Sequence, residues 1–314
     1  MGKIAFLFPG QGSQKIGMGK DLFDQEITSK AVFEEANQTL GLDLSTMIFE
    51  GDANELTLTY NAQPALLTTS IAILKKFEES GIQADYAAGH SLGEYTALVA
   101  AGALSFKDAV YSVRKRGELM NEAVPAGEGA MAAILGLDQE ALLDVTNEVT
   151  ESGHLVGLAN LNCPGQIVIS GTAKGVELAS EKAKEKGAKR AIPLEVSGPF
   201  HSALMKPAAV KFEDVLAKIN IEDAKTPIIS NVTADVLTDH KEIQTKLIEQ
   251  LYSPVRFEES VERLIDLGVT TFIEIGPGKV LSGLVKKVNR RLTTIAVSDK
   301  ETIEAAIQTI KGEQ

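Results

Sequence analysis

The stretch "YAAGHSLGEYTALVAAGAL", Tyr86 to Leu104, constrains the fold of this chain more than any other. Tyr86-Ala87-Ala88 is a short apolar run of strand type. From Leu92 the apolar positions Tyr95, Leu98 and Val99 recur at helical spacing until Gly102 ends them. A strand therefore feeds into a helix through a turn with Ser91 at its apex. In so sharp a turn a Cβ two residues to either side would meet the neighbouring backbone, which is why Gly89 and Gly93 fit a G-x-S-x-G nucleophile elbow. The alternative is a tight turn whose serine only caps the helix. On either reading, a strand, tight turn and helix in succession are the building unit of an α/β sheet.

The rest of the chain repeats that alternation. Lys3–Phe8 reads as a strand, Gln63–Glu79 and Ala109–Ala123 as helices, and "TPIISN" (Thr226–Asn231), "TTFIEIGPGK" (Thr270–Lys279) and "TTIAVS" (Thr293–Ser298) as strand segments. Between them the pattern changes. Ala130–Leu135 strand, Gln139–Val149 helix, Leu155–Leu161 strand, Gln166–Ser170 strand, Gly175–Lys186 helix and Arg190–Val196 strand give a βαββαβ order, the ferredoxin-like signature, complete within about seventy residues. The expectation is a large α/β-hydrolase-like domain with a mainly parallel sheet, built from 1–124 and 198–314. A small ferredoxin-like domain, 125–197, is inserted in it, with joints near Pro125 and Ser197.

Composition excludes several classes. With 314 residues, 44% hydrophobic and 24% charged, the chain can bury a large core. A single cysteine, Cys163, allows no internal disulfide and suits a reducing cytosol. "KIAFLF" is stopped by Pro9-Gly10, too short for a secretory or membrane-spanning segment. A net charge of −12 argues against a nucleic-acid partner. A cytoplasmic monomer without membrane attachment is the expectation.

A serine hydroxyl needs a base, and histidine titrates in the right range. Of four histidines, His90 shares the elbow with Ser91 and faces away from it, His154 precedes a strand of the small domain, and His240 lies in the polar stretch "LTDHKE", read as a solvated loop. His201 follows "VSGPF" where the chain leaves the small domain, and domain joints are where clefts form. It is either the base or a surface histidine at a helix start. No Asp or Glu between Ser91 and His201 sits at the end of a large-domain strand, so a neutral acceptor orienting the imidazole, and hence a dyad, is open. In elbow enzymes one oxyanion donor is the N–H after the nucleophile, here Leu92. The other comes from a glycine-rich loop after an early strand, and "FPGQGSQ" makes that the Gln11 N–H. Reading "GQGSQ" as a phosphate cradle is weaker, because neither standard phosphate-loop pattern is matched.

These residues resemble the malonyl-CoA:acyl carrier protein transacylases of bacterial type II fatty-acid synthesis, relatives of the acyltransferase domains of polyketide synthases. The likeness runs along essentially the whole chain, through "FPGQGSQ", "QPAL", "GHSLGEYTAL", "RKRGELMNEA", "NCPGQIVISG", "GPFHS", "QLYSPVRF" and "EIGPGKVLSGL". The resemblance implies a Ser91–His201 dyad whose histidine is oriented by the main-chain carbonyl of Gln250, and an oxyanion hole at Gln11 and Leu92. It implies a malonyl-binding arginine at Arg116, with Arg114 and Lys115 beside it solvated, and a Phe before the histidine, Phe200, of the kind that accompanies malonyl rather than methylmalonyl units. Gln63 and Asn160 match pocket-lining positions. The implied reaction passes malonyl from malonyl-CoA, through a serine ester, to the phosphopantetheine thiol of acyl carrier protein, with CoA leaving and with no metal or redox cofactor. A polyketide-pathway acyltransferase and a serine esterase or thioesterase are the alternatives.

An acidic carrier would be repelled by uniform negative charge, so docking calls for a local basic patch. "KAKEKGAKR" at 182–190, ending in Lys189 and Arg190, and "KKVNRR" at 286–291, with Lys286, Lys287, Arg290 and Arg291, are the candidates; the plainer reading makes both solvated helix faces.

Overall fold

The computed structural model describes residues 2–125, 127–196 and 198–312. Among them eleven strands form two mixed sheets: β1 (Lys3–Phe8), β2 (Tyr86–Gly89), β3 (Gly129–Leu135), β4 (Val156–Cys163), β5 (Gln166–Thr172), β6 (Arg190–Pro193), β7 (Ile228–Ile229), β8 (Val236–Leu237), β9 (Val255–Arg256), β10 (Val269–Ile275) and β11 (Thr293–Val297). The larger sheet has the order β11-β10-β1-β2-β7-β8, parallel except for β8. The smaller has the order β6-β3-β5-β4-β9, antiparallel except where β9 joins β4. The chain is thus a mixed α/β fold, as the alternation of strand and helix signals requires.

The central strand β1 ends in four consecutive buried residues, Ala5–Phe8, because a parallel strand covered by helices on both faces has no solvent side. On one face lies the helix Thr59–Glu78, almost wholly buried among the sheet and the helices Ile27–Leu40, Leu92–Ala100 and Phe106–Glu122. Its early turns contain Pro64, which has no N–H for the Tyr60 carbonyl. Arg114 donates to that carbonyl instead, Nη1 to O at 3.0 Å, and also to Asn61 Oδ1 at 2.6 Å and Glu118 Oε1 at 2.7 Å. Arg114 is therefore a helix clamp and not the solvated neighbour the sequence suggested. Gly117 completes the junction: a Cβ there would lie 2.6 Å from Tyr60 Cα, so only glycine lets the two helices approach this closely. That approach carries Arg116 to the centre of the molecule.

The βαββαβ order is present from β3 to β6, with helices Gln139–Glu151 and Ala173–Glu185 and a separate apolar cluster around Leu142, Val145, Ile169 and Ala179. Three details differ from the sequence reading. The last strand stops at Pro193 and β7 shrinks to two residues. Conversely, Val255–Arg256 adds a parallel strand beside Asn160–Leu161, stitching the chain after residue 198 onto the smaller sheet. The expected joint at Ser197 lies outside the described residues.

Candidate active site

Ser91 sits between β2 and the helix Leu92–Ala100 with φ 51° and ψ −105°, a backbone region that costs a non-glycine residue about 1–3 kcal/mol. The two glycines are obligatory. A Cβ on Gly89 would stand 2.0 Å from the Gly93 carbonyl, and one on Gly93 would stand 2.0 Å from Phe8 O. Three side-chain bonds hold the strained turn. Asn231 Oδ1 accepts the Ser91 N–H at 2.7 Å while its Nδ2 donates to Gly89 O at 2.7 Å, and Gln250 Nε2 donates to Ser91 O at 3.1 Å.

Ser91 Oγ lies 2.8 Å from His201 Nε2, and His201 Nδ1 lies 2.8 Å from the Gln250 carbonyl oxygen. A carbonyl only accepts, so the proton is on Nδ1 and Nε2 presents a lone pair to the serine hydroxyl. The imidazole is buried, and burial with the nearby Arg116 charge pushes its pKa down to about 3. At neutral pH it is an uncharged acceptor. His201 itself has φ 58°, held by its N–H donating to Leu251 O at 3.2 Å.

Arg116 is 1% exposed; both terminal nitrogens of its fork are engaged, while its buried Nε has no hydrogen-bond partner among the described residues. Nη1 donates to Gln63 Oε1 at 2.8 Å, and Nη2 donates to Gln250 Oε1 at 2.8 Å and to Ser91 Oγ at 3.1 Å. The Gln63 side chain is thus an anchor of the guanidinium as well as a wall of the cavity. Tyr95 lies beneath, its ring centroid 5.5 Å from Arg116 Cζ. A fixed cation beside a hydroxyl and a neutral histidine is an arrangement suited to a substrate with a carboxylate near its reactive carbon.

These groups open on a cavity of about 300 Å³, lined also by Gln11, Leu92, Met120, Met131, Asn160 and Phe200. It lies between the two sheets: Met131, Asn160 and Leu194–Val196 come from the smaller side. Leu92 is the first residue of its helix and Gln11 is in the turn after β1. Neither N–H has a hydrogen-bond partner among the described residues.

His90 Nε2 bonds Asn162 Oδ1 at 2.8 Å and its ring packs on Phe257, while burial pushes its pKa down. His240 is not in a loop: it opens the helix His240–Glu249, with Nδ1 2.7 Å from Asp223 Oδ1. Cys163 is buried, which pushes its thiol pKa up and disfavours a thiolate. None of Lys189, Arg190, Lys286, Lys287, Arg290 and Arg291 lines the cavity, although all six are exposed. One lysine of each cluster nevertheless lies near the β4–β5 turn. Lys287 Nζ donates to Gln166 Oε1 at 3.0 Å, and Lys189 packs on Gly136, whose N–H bonds Gly165 O at 2.8 Å.

Sequence reasoning passed over Asn231, Glu94 and the side chain of Gln250. Ser91 and Glu94 have the S-x-x-E spacing of a capping box, which could have drawn notice to the acid. Asn231 takes the cap's N–H instead and leaves the Glu94 carboxylate to Gln250.

Residues 5–309 match the family of acyl transferase domains. The malonyl CoA-acyl carrier protein transacylase of Bacillus subtilis (strain 168) is 77% identical over 313 residues, 100% of this chain and 99% of the relative. Among solved structures, the acyl carrier protein S-malonyltransferase of Vibrio cholerae O1 superposes with a TM-score of 0.94 at 46% identity, covering 97% of this chain and 99% of that one. A malonyl-transacylase in complex with its type II PKS acyl-carrier protein superposes with a TM-score of 0.95 at 44% identity over 98% of this chain and 99% of that one. The chain belongs to the acyl transferase family and, within it, to the malonyl CoA-acyl carrier protein transacylases.

Proposed function

We propose that this chain moves a malonyl group from malonyl-CoA to the phosphopantetheine thiol of an acyl carrier protein through a malonyl ester on Ser91. The observation that carries the reading is the guanidinium of Arg116 lying 3.1 Å from Ser91 Oγ while His201 Nε2 lies 2.8 Å from the same atom. In the first half, Ser91 Oγ attacks the thioester carbonyl as its proton passes to His201 Nε2, the N–H groups of Gln11 and Leu92 receive the oxyanion, and collapse expels CoA, which takes the proton. In the second half, the carrier thiol gives its proton to His201 and attacks the ester. Collapse releases malonyl-carrier and returns the proton to Ser91. Arg116 pairs with the free carboxylate throughout, and Phe200 and Asn160 wall the acyl group. The chemistry needs no metal or redox cofactor.

The same reading treats residues 1–124 and 198–314 as a hydrolase-like domain carrying a ferredoxin-like insertion at 125–197, so that the acyl group lies at their junction; the βαββαβ order of the insertion supports this. It places the enzyme in the cytoplasm as a monomer; among the described residues, no helix is long and apolar enough to cross a membrane. A transferase must keep its ester until the carrier arrives. In carrier-free enzyme mixed with malonyl-CoA, the ester should therefore outlast many turnover times, followed by quenched-flow mass measurement. Prompt release of malonate at a rate that carrier does not change would instead establish a hydrolase.

For docking, we propose the exposed basic groups Lys189, Arg190, Lys286, Lys287, Arg290 and Arg291, of which Lys189 and Lys287 lie near the β4–β5 turn, as the local exception to the overall −12 charge. Reversing Lys286, Lys287, Arg290 and Arg291 to Glu should raise the KM for carrier and flatten its salt dependence, with the malonyl-CoA half-reaction little changed. Equal loss in both half-reactions, or none, would remove this surface from docking.

A further inference from the structure

The Gln250 side-chain amide lies between a cation and a buried acid. Its Oε1 accepts from Arg116 Nη2 at 2.8 Å, and its Nε2 donates to Glu94 Oε2 at 2.5 Å. Glu94 also accepts the Asn231 N–H at 3.3 Å, and Glu94, Gln250 and Asn231 are all buried. An amide has one accepting and one donating end. Turned over, it would set NH₂ against guanidinium and oxygen against carboxylate, two donors facing at one end and two acceptors at the other. Nε2 also meets Ser91 O at 3.1 Å and Asn231 Oδ1 at 3.4 Å, but its shortest bond is to the acid, which therefore does most to decide which end faces the arginine.

We propose that Glu94 is a positioning residue acting through Gln250: by accepting from Nε2 it keeps Oε1 on Arg116, and so holds the guanidinium fork in place beside Ser91. The main-chain carbonyl of Gln250 serves His201 and does not depend on the amide's orientation, so the setting of the imidazole does not pass through this device. Burial pushes the Glu94 carboxyl up to about 7, and either protonation state leaves an oxygen able to accept from Nε2. The inference rests on Arg116 being the carboxylate partner, and its test separates the two.

Four proteins form a cycle: the native chain, Glu94→Leu, Gln250→Leu and the double variant, assayed for malonyl transfer and for modification of Ser91 by an uncharged sulfonyl fluoride. Each single change should raise the malonyl-CoA KM about tenfold, the scale of a hydrogen bond to a charged group, while in Glu94→Leu sulfonyl fluoride reactivity stays within about twofold. The double variant should be no worse than the poorer single one, because both act on one contact. Glu94→Gln, which keeps an accepting oxygen, should recover most of the loss. Additive losses, Glu94→Gln as poor as Glu94→Leu, or sulfonyl fluoride reactivity falling with transfer in Glu94→Leu would each overturn the proposal. Should Glu94→Leu fail to fold, Gln250→Met decides alone: an unchanged malonyl KM in that variant overturns it. Non-additive losses equal for malonyl and acetyl donors would uphold the positioning and refute the carboxylate reading of Arg116.

Discussion

Arg116→Ala is expected to lose malonyl transfer about ten- to a hundredfold beyond whatever it loses with an acetyl donor, because a hydrogen bond to a charged group contributes about 1.5–3 kcal/mol. Both donors should suffer somewhat, since the substitution strips Gln63 Oε1 and Gln250 Oε1 of their donor and leaves buried acceptors unpaired. Only malonyl-CoA adds a carboxylate to that loss. Arg116→Lys should recover little, for an ammonium cannot hold two glutamine oxygens and a carboxylate in one plane. A second readout follows from His201, whose pKa burial and the Arg116 charge depress to about 3. Removing the cation raises that pKa part of the way back, burial being the larger cause. The catalytic form is the neutral imidazole, so the variant should lose activity at a higher pH than the native enzyme as the solution is acidified. Steady-state selectivity and the acid limb of the pH–rate profile measure the two effects separately. Equal losses with both donors and an unmoved acid limb would make Arg116 a structural residue.

The parts of this site that are written locally in the chain are the parts that sequence reasoning reached. The elbow is one: the clash that excludes a side chain at Gly93 comes from Phe8 O, but the need for small residues on both sides of an apical serine is apparent from five consecutive letters. His201 emerged because only four histidines exist and three had other places to be. The carbonyl of Gln250 could not emerge that way. Every residue has a carbonyl, so only the likeness to a family directed attention to residue 250, and the structure then puts that oxygen 2.8 Å from Nδ1.

What stayed hidden depends on contacts between distant segments. Asn231 reaches the Ser91 N–H across 140 residues and Glu94 meets Gln250 across 156, with nothing in the intervening sequence to mark the pairing. Arg114 was misjudged for a related reason. The carbonyl it satisfies is orphaned by Pro64, more than a helix away in the chain, and an arginine in "RKRG" reads as solvated until that vacancy is known. β9 was missed because a two-residue strand has no periodicity to detect.

The central claim is that Ser91 carries the acyl group. Its removal should lower malonyl transfer on the order of a million-fold, as expected when a serine nucleophile is deleted from a dyad or triad that acts as a unit. The residual positive charge of Arg116 and the donors at Gln11 and Leu92 would still bind substrate, so Ser91→Ala should retain affinity for malonyl-CoA while losing turnover. Intact-protein mass spectrometry after mixing with malonyl-CoA in the absence of carrier tests this directly. The native chain should gain the mass of one malonyl group, peptide mapping should place it on Ser91, and Ser91→Ala should gain nothing. An adduct of the same mass in Ser91→Ala, or one that maps to another residue of the native chain, would contradict the account.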